Sequence, residues 1–185
     1  MKREIWLEEV ASRLNTVFEL AGTKIPNNIR YSCGFPSSRP NLAIGQCWDA
    51  GLSQGGNFEI FVSPYKSDSI NVASILVHEL IHAAVGTDKG HRKEFRRLAH
   101  AVGLEGRMTS TVPGTNLTKL LAEIMNEVGP YPHASLKKDE TMKGSRLIKV
   151  MCPKCKYTVR VTKKWLSMGY PKCPDGELMK KEMPG

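Results

Sequence analysis

The sequence predicts an α+β domain followed by a small β module, and three observations support this class. Apolar residues recur at helical spacing over residues 3–21, three β-like runs follow between residues 29 and 63, and a Cys-x-x-Cys pair stands between two strand-like runs of the C-terminal segment. With 185 residues and 41% hydrophobic content, the chain can bury one core and a small appended module. We assign residues 1–133 to the larger domain, 134–146 to a linker poor in apolar periodicity, and 147–185 to the β module.

The first 63 residues predict a core helix and a small antiparallel sheet. The helix stripe consists of Leu7, Val10, Ala11, Leu14, Phe18 and Ala21, with Gly22 as the stop. The β-like runs are Ile29–Cys33, Leu42–Trp48 and Phe58–Ser63, separated by loops rich in Gly, Pro and Ser. Cys33 and Cys47, which stand in these runs, are interpreted as small buried hydrophobes.

A helix with Ser69 or Asn71 as its cap carries the motif His78-Glu79-x-x-His82. Residues four apart share one face of a helix, so the two imidazoles can bind one metal ion, with Glu79 beside them to take a proton from water. The rest of residues 75–85 is apolar, and a metal would give these polar side chains the partner that burial requires. The motif therefore predicts a metal site suited to hydrolysis.

The third metal ligand is His91 or one of two glutamates, Glu105 and Glu123. A metzincin would need histidine at the position of Asp88, so that class is excluded. His91 follows a short turn and is placed at the start of the next helix, which extends to Ala101, so we favour it over the glutamates of later segments. His100 has no partner at ligand spacing and is interpreted as a non-ligand.

The helix after His91 has a cationic outer side formed by Arg92, Lys93, Arg96 and Arg97, with Lys89 close by. A solvated surface is the simplest interpretation, and the alternative is a surface that attracts a polyanion or an acidic substrate towards the metal. Downstream, the sequence predicts a loop over Glu105–Gly114 and an amphipathic helix over Asn116–Val128.

The segment HELIHAAVGTDKGHRKEFRRLAHAVGL, from His78 to Leu104, resembles the active-site region of the SprT-like (Spartan-type) zinc metalloproteases, whose pattern is HExxH, a short loop and GHxxxF. This resemblance implies a zincin-like fold in which His78, His82 and His91 bind zinc and Glu79 is the catalytic carboxylate. It also implies that the strand beside the metal helix, here the run Phe58–Ser63, has an edge on which a peptide can lie extended. The implied activity is cleavage of proteins bound or crosslinked to DNA.

The C-terminal module predicts a zinc ribbon with an incomplete ligand set. Cys152 and Cys155 form one half-site, and Cys173 lies at a distance that suits the other half. A second cysteine is missing after Cys173. Three possibilities stay open: Asp175 supplies an oxygen ligand, His133 folds back, or the ribbon holds weak metal or none.

Nearly all of the formal net charge of +9 lies in the C-terminal segment: residues 134–185 contain 13 Lys and Arg against 5 Asp and Glu, whereas residues 1–133 contain 14 against 13. Aromatic residues Tyr157, Trp165 and Tyr170 stand among the cations, a combination typical of single-strand binders, although Trp165 could instead form the ribbon's mini-core. The candidate nucleic-acid-binding residues are Lys154, Lys156, Arg160, Lys163, Lys164 and Lys172.

Two function hypotheses follow. The first is a zinc metalloendopeptidase that cuts protein on DNA, with one catalytic zinc and a second, structural zinc in the ribbon. The alternative is a nucleic-acid-binding adaptor or regulator whose metal site is structural. The sequence offers no apolar run of the roughly 20 residues that a membrane span needs and no signal-peptide core, so we expect a monomeric cytoplasmic protein, nucleoid-associated if it binds DNA.

Overall fold

The computed structural model describes residues 1–37, 43–137 and 147–181 and confirms the α+β class. The chain divides into two compact units, Met1–Lys137 and Lys138–Gly185. Most of the predicted linker, residues 138–146, lies outside the described residues, as does Leu42 at the start of the second predicted β run. Among the described residues, no helix combines the length and the apolar composition that crossing a bilayer would need.

The first unit begins with helix α1 (Arg3–Leu20), which packs its predicted stripe and Trp6 into the core. Strands β1 (Ile29–Cys33), β2 (Gly45–Trp48) and β3 (Phe58–Val62) form a sheet in the order β1-β3-β2. The predicted antiparallel sheet is wrong for one pair, because β1 runs parallel to β3 while β2 runs antiparallel to it. Strand β2 runs opposite to β1, and β3 reverses the direction again, so β3 runs parallel to β1. The sheet edge next to the following helix is therefore β2, and β3, where the edge was expected, is paired on both sides.

Helix α2 (Ser69–Val85) carries the HExxH motif and is buried along most of its length. Its N-cap is Asp68, whose carboxylate accepts a hydrogen bond from the Asn71 backbone N–H at 2.8 Å. The predicted caps Ser69 and Asn71 are wrong, since both lie inside the helix. The Ser69 hydroxyl instead accepts from the Tyr131 backbone N–H at 2.9 Å and joins α2 to the segment after the last helix of this unit.

Helix α3 (Lys93–Ala101) starts two residues later than predicted. A 3-10 turn at Thr87–Lys89 follows α2, and Arg92 is extended, with φ −82° and ψ −158°, so the helix cannot include it. His91 thus lies in the connection between the two helices. Phe95, Leu98 and Ala99 are the buried residues of α3.

A β-hairpin replaces the predicted loop at residues 105–114. Its strands, β4 (Leu104–Arg107) and β5 (Ser110–Pro113), pair antiparallel. Because most of its side chains are polar or exposed, the segment lacks the apolar alternation by which a strand is recognised. Helix α4 (Thr115–Val128) follows and buries Leu117, Leu121 and Ile124.

The second unit is a small sheet in the order β7-β6-β8, formed by β6 (Leu147–Met151), β7 (Thr158–Thr162) and β8 (Lys180–Lys181), with a one-turn helix α5 (Lys163–Leu166). Its buried cluster consists of Val150, Cys152, Cys173 and Met179. Trp165 is 54% exposed and lies outside this cluster, so the interpretation of Trp165 as the mini-core is wrong.

Candidate metal centre and its cleft

Three imidazoles converge in the first unit. His78 and His82 lie one turn apart on α2, and His91 reaches them from the connection to α3. The Nε2 atom of His91 lies 3.0 Å from Nε2 of His78 and 3.3 Å from Nε2 of His82. Two nitrogen ligands of a tetrahedral ion with metal–nitrogen distances of about 2.0–2.1 Å are separated by about 3.3 Å. The three Nε2 atoms are therefore spaced as ligands of one ion.

These histidines are kept neutral, which is the form that binds a metal. Burial lowers the pKa of His78 to about 3, with a further lowering from His82 and His91. Burial, with a contribution from His91, lowers the pKa of His82 to about 4, and burial lowers the pKa of His91 as well. Neutral imidazoles whose ring nitrogens face one another suit a shared cation, so the donor set fits a zinc ion.

Two residues, Phe95 and Thr111, contact the histidine rings and orient them. The Phe95 ring packs against all three imidazoles, with centroid distances of 4.8 Å to His78, 4.5 Å to His82 and 4.9 Å to His91. The Thr111 hydroxyl lies 2.9 Å from Nδ1 of His78, so Nδ1–H can donate to it and leave Nε2 free to bind metal. Helix α3 and the β-hairpin thereby both support the ligands on α2.

The turn that carries His91 is tied to the sheet through Asp49. The Thr87 hydroxyl donates to Oδ2 of Asp49 at 2.9 Å, and Oδ1 of the same carboxylate accepts from the Gly51 backbone N–H at 2.9 Å. Asp49 directly follows β2. The connection between α2 and α3 is thus anchored to the end of the edge strand, which restrains the position of His91.

Glu79 lies on α2 beside the histidines and faces strand β2. Its side chain is buried, and burial raises its pKa to about 8, partly offset by a hydrogen bond from the Cys47 backbone N–H. At Gly45 the strand passes so close that a Cβ atom would overlap Oε1 of Glu79 and lie 2.7 Å from Cγ2 of Ile75. Only glycine leaves room for the carboxylate at this position.

A cleft of about 430 Å³ opens over the three histidines and Glu79. Its walls include the edge strand with the residues before it, Ala43–Cys47, and the hairpin segment Thr109–Pro113. Strand β2 pairs only with β3 and strand β5 only with β4 among the described residues. An extended chain entering the cleft could therefore meet two strands that each have an unpaired edge.

The carboxylates considered as alternative ligands lie elsewhere. Glu105 is exposed on β4 and Glu123 is exposed on α4. Asp88, which stands where a metzincin would have its third histidine, is exposed and paired with Lys89 at 2.7 Å. Within the described part of the chain, no carboxylate oxygen joins the histidine group at 4.8 Å or less from every member. His100 is exposed on α3 and also stays outside the group. The candidate ligand set in the described part of the chain is the three histidines.

A second candidate metal-binding group consists of the thiols of Cys152, Cys155 and Cys173, which lie within 4.8 Å of one another. The Cys155 backbone N–H donates to Sγ of Cys152 at 3.5 Å, and Lys156 has a positive φ of 63°, as a tight turn around a metal requires. Three neutral or ionised thiols gathered in so small a unit suit a thiophilic ion such as zinc.

The fourth ligand predicted for this group is not brought to it. Asp175 is exposed and outside the thiol group, and no His, Asp or Glu of the described ranges joins it. His133 belongs to the first unit, where Nε2 lies 2.9 Å from the Pro64 carbonyl and Nδ1 lies 3.3 Å from an Arg3 guanidinium nitrogen. Gly176, with φ 81°, occupies the place of the missing cysteine in a Cys-x-x-Cys turn.

The six cations predicted to bind nucleic acid are all exposed, but they are not equally available. Lys154 is paired with Glu177 at 2.7 Å, and Lys156 donates to the Pro153 carbonyl at 3.2 Å. Lys164 lies over the Trp165 ring at 5.3 Å from its centroid. The remaining candidates are Arg160, Lys163 and Lys172.

Sequence inspection missed the residues that support the histidines and Glu79. The clearest available signal was Gly45, since a glycine inside a β run indicates a close approach of another group. The roles of Cys47 and Asp49 depend on backbone position, and Thr111 lies in the hairpin that was predicted as a loop. No local pattern distinguishes these three residues.

Comparison of the chain with protein-family models, with curated proteins and with solved structures gives no match.

Proposed function

We propose that this chain is a zinc-dependent endopeptidase of the SprT-like type, with a zincin-like first unit, that acts on proteins bound or crosslinked to nucleic acid. One observation carries the proposal: three neutral imidazoles converge at ligand spacing in a cleft where a buried carboxylate, Glu79, stands on the same helix. A structural site would need no such carboxylate, and a site for electron transfer would need other ligands.

Zinc held by His78, His82 and His91 would supply a Lewis acid that activates water and polarises a carbonyl group. Glu79 would take the proton from that water and later give it to the leaving amine. Burial raises the pKa of Glu79, and the positive charge of a bound zinc ion would lower it, which would favour the ionised carboxylate that accepts the proton.

The walls of the cleft suit an extended polypeptide. The Ser63 N–H donates to the Ile44 carbonyl at 2.9 Å, so alternate residues of β2, Gln46 and Trp48, also face β3, and the backbone groups of Gly45 and Cys47 face away from it. Because the Cys47 N–H donates to Glu79, a substrate strand would be left the backbone groups of Gly45 and the Cys47 carbonyl. A substrate strand could pair with this edge, and its side chains would then alternate between the two sides of the sheet. A polypeptide substrate is thus favoured over a small molecule.

The second unit supports the nucleic-acid part of the proposal. Tyr157, Trp165 and Tyr170 are 47%, 54% and 43% exposed, so their rings are available for stacking on bases, and exposed cations lie among them. Exposed aromatic faces beside cations are the combination by which proteins hold single strands. We propose DNA as the nucleic acid and a structural zinc at the three thiols.

The test is a cleavage assay with a protein held on DNA, using Glu79→Gln against the parent chain. The amide cannot accept the proton, so cleavage should fall below detection while the zinc content stays at the parent level. Glu105→Gln and Glu123→Gln are matched controls that remove exposed carboxylates and should keep full activity. Cleavage by Glu79→Gln at the parent rate would overturn the proposal.

An adaptor with a structural metal site is the competing function. It predicts no zinc-dependent cleavage by the parent chain under any DNA supplement, together with unchanged DNA binding by Glu79→Gln. The assay above separates the two functions, because only the peptidase makes activity depend on Glu79.

A further inference from the structure

Helix α3 has two sharply different faces. The buried face is formed by Phe95, Leu98 and Ala99. The exposed residues of α3 are Lys93, Glu94, Arg96, Arg97, His100 and Ala101. Four of them lie at the helical positions i, i+3, i+4 and i+7 and share one face, which we name the basic face: Lys93, Arg96, Arg97 and His100.

The cations of the basic face have no partner among the described residues. Lys93, Arg96 and Arg97 make no ion pair or side-chain hydrogen bond with any residue of the described ranges. By contrast, Arg13 contacts Glu9 and Glu127 at 2.6 and 3.0 Å, and Lys89 contacts Asp88 at 2.7 Å. Three cations that the described part of the chain leaves unpaired therefore share one face of one short helix.

Helix stability does not explain the arrangement. Lys93 and Arg97 are like charges four residues apart, which destabilises a helix. Lys93 is also the first residue of α3, where the helix dipole disfavours a cation. A surface that serves only solubility usually mixes both signs, and the first 133 residues as a whole are nearly neutral. The basic face carries three cations and no carboxylate, and Glu94, which is exposed beside it, forms no ion pair with these cations. An anionic ligand would offset these costs.

The basic face lies on the far side of α3 from the metal centre. Phe95, on the buried face, contacts the rings of His78, His82 and His91. A helix with its side chains is about 10–12 Å wide, so a ligand on the basic face would be held about that far from the imidazoles. It would lie behind the ligands and leave the cleft open to a polypeptide.

We propose that the basic face binds the phosphate backbone of nucleic acid and gives the first unit a nucleic-acid contact of its own. Arg96 and Arg97 supply planar guanidinium groups, which form bidentate hydrogen bonds with phosphate oxygens. Lys93 and Arg97 are separated by a rise of about 6 Å along the helix, with Arg96 beside them, and this spacing suits successive phosphates of a polyanion. The role of this contact rests on the proposed function: it would bring protein attached to nucleic acid near the metal centre. The binding of phosphate by the basic face does not depend on that function.

The experiment measures binding of the full chain to a fluorescent DNA duplex and a single strand of about 20 nucleotides, over a series of salt concentrations. The test variant is Lys93→Gln/Arg96→Gln/Arg97→Gln. The matched control is Lys2→Gln/Lys24→Gln/Lys119→Gln, which removes the same charge from exposed lysines of other segments. Melting temperatures should show that both variants fold, since neither changes a buried residue.

The basic-face variant should bind DNA at least tenfold more weakly at low salt, and the slope of log K against log salt should shrink by about 0.7–0.9 for each phosphate that the face no longer neutralises. The control should keep the parent slope. Equal affinity and slope for both variants would overturn the proposal. So would selective loss of binding to polyglutamate with DNA binding intact, because that result assigns the face to an acidic protein.

Failure of this proposal is separable from failure of the proposed function. Binding is measured without cleavage, and Glu79→Gln should bind DNA as tightly as the parent chain. Cleavage of a protein that is not attached to DNA should be the same for the basic-face variant and the parent. A variant that lost this cleavage too would place its defect in the fold and would overturn the assignment of the face to nucleic acid.

Discussion

The Thr111 hydroxyl lies 2.9 Å from Nδ1 of His78 and joins the β-hairpin to helix α2, which carries the HExxH motif. This contact selects the tautomer in which Nδ1 carries the proton and Nε2 can bind metal. Groups that orient ligating histidines in this way commonly determine metal affinity almost as strongly as the ligands do.

The first prediction concerns Thr111→Val, which replaces the hydroxyl by a methyl group of similar size. Without an acceptor for Nδ1–H, His78 can turn or adopt the other tautomer, so we expect zinc affinity to fall about 10- to 100-fold. Competition with a coloured chelator measures this affinity directly and does not depend on activity.

Two variants interpret that measurement. Thr111→Ser keeps the hydroxyl and should keep most of the zinc affinity. Thr109→Val makes the same chemical change two residues earlier in the hairpin, at an exposed side chain outside the contact, and should bind zinc as the parent does. Equal affinities for Thr111→Val and Thr109→Val would show that the hydroxyl does not orient His78.

The second prediction concerns Gly45→Ala at the edge strand. The added Cβ would overlap Oε1 of Glu79 and lie 2.7 Å from Cγ2 of Ile75, so either the strand or the carboxylate must move. We expect a loss of about 1–3 kcal/mol in the free energy of unfolding, as for other overpacked sites, with zinc retained and cleavage strongly reduced.

A double-mutant cycle with Glu79→Ala tests the cause of that loss. Removing the Glu79 carboxylate removes one of the two clashes, so Gly45→Ala should cost less stability in the Glu79→Ala background than in the parent chain. Denaturant titration of the four proteins supplies the numbers. If the changes in the free energy of unfolding caused by Gly45→Ala and Glu79→Ala are strictly additive, the alanine does not clash with Glu79.

Prediction from sequence worked best where a periodic pattern met a buried environment. The stripe of α1 and the HExxH helix were located because side chains four apart share a face and the core selects apolar residues there. The spacing of His78 and His82 follows from the same geometry. Their convergence with His91 depends on the path of the turn between α2 and α3. Sequence spacing alone does not determine that path.

The predictions were wrong where tertiary contacts determine the structure, because the local sequence contains no pattern that shows those contacts. The parallel pairing of β1 with β3 depends on the return path of the chain through β2. The hairpin at 104–113 forms from mostly exposed residues that pack against neighbouring elements, so its sequence shows no alternation. As a result, the hairpin wall was not predicted and the edge beside the helix was expected at β3 and not at β2, although the three histidines and Glu79 were named as site residues.

The third prediction concerns metal content. We expect two zinc ions per parent chain, one at the histidines and one at the thiols. His82→Ala should lose the first ion and Cys173→Ala the second, because each leaves only two protein ligands at its site. Elemental analysis of the purified proteins, normalised to protein concentration, counts the ions. A single ion in the parent chain that survives Cys173→Ala would contradict a ribbon zinc.

The fourth prediction separates Asp175 from the thiol site. Its carboxylate stays outside the group formed by Cys152, Cys155 and Cys173, so Asp175→Asn should leave the zinc content and its resistance to chelators unchanged. The fourth position would then be open to water or another small ligand. Loss of one ion in Asp175→Asn, matching Cys173→Ala, would instead restore Asp175 as a ligand.

The last prediction concerns Trp165 in the second unit. The ring is 54% exposed and lies outside the cluster of Val150, Cys152, Cys173 and Met179, so Trp165→Ala should leave the melting temperature and the zinc content unchanged. If a base stacks on the ring, affinity for a single strand should fall by about 1–3 kcal/mol. The salt slope should stay the same, because no cation is removed.

Met168, which is 75% exposed in the same unit, provides the control: Met168→Ala should leave single-strand affinity unchanged. An equal effect of both changes would show that exposed apolar area, and not the aromatic ring, contributes to binding.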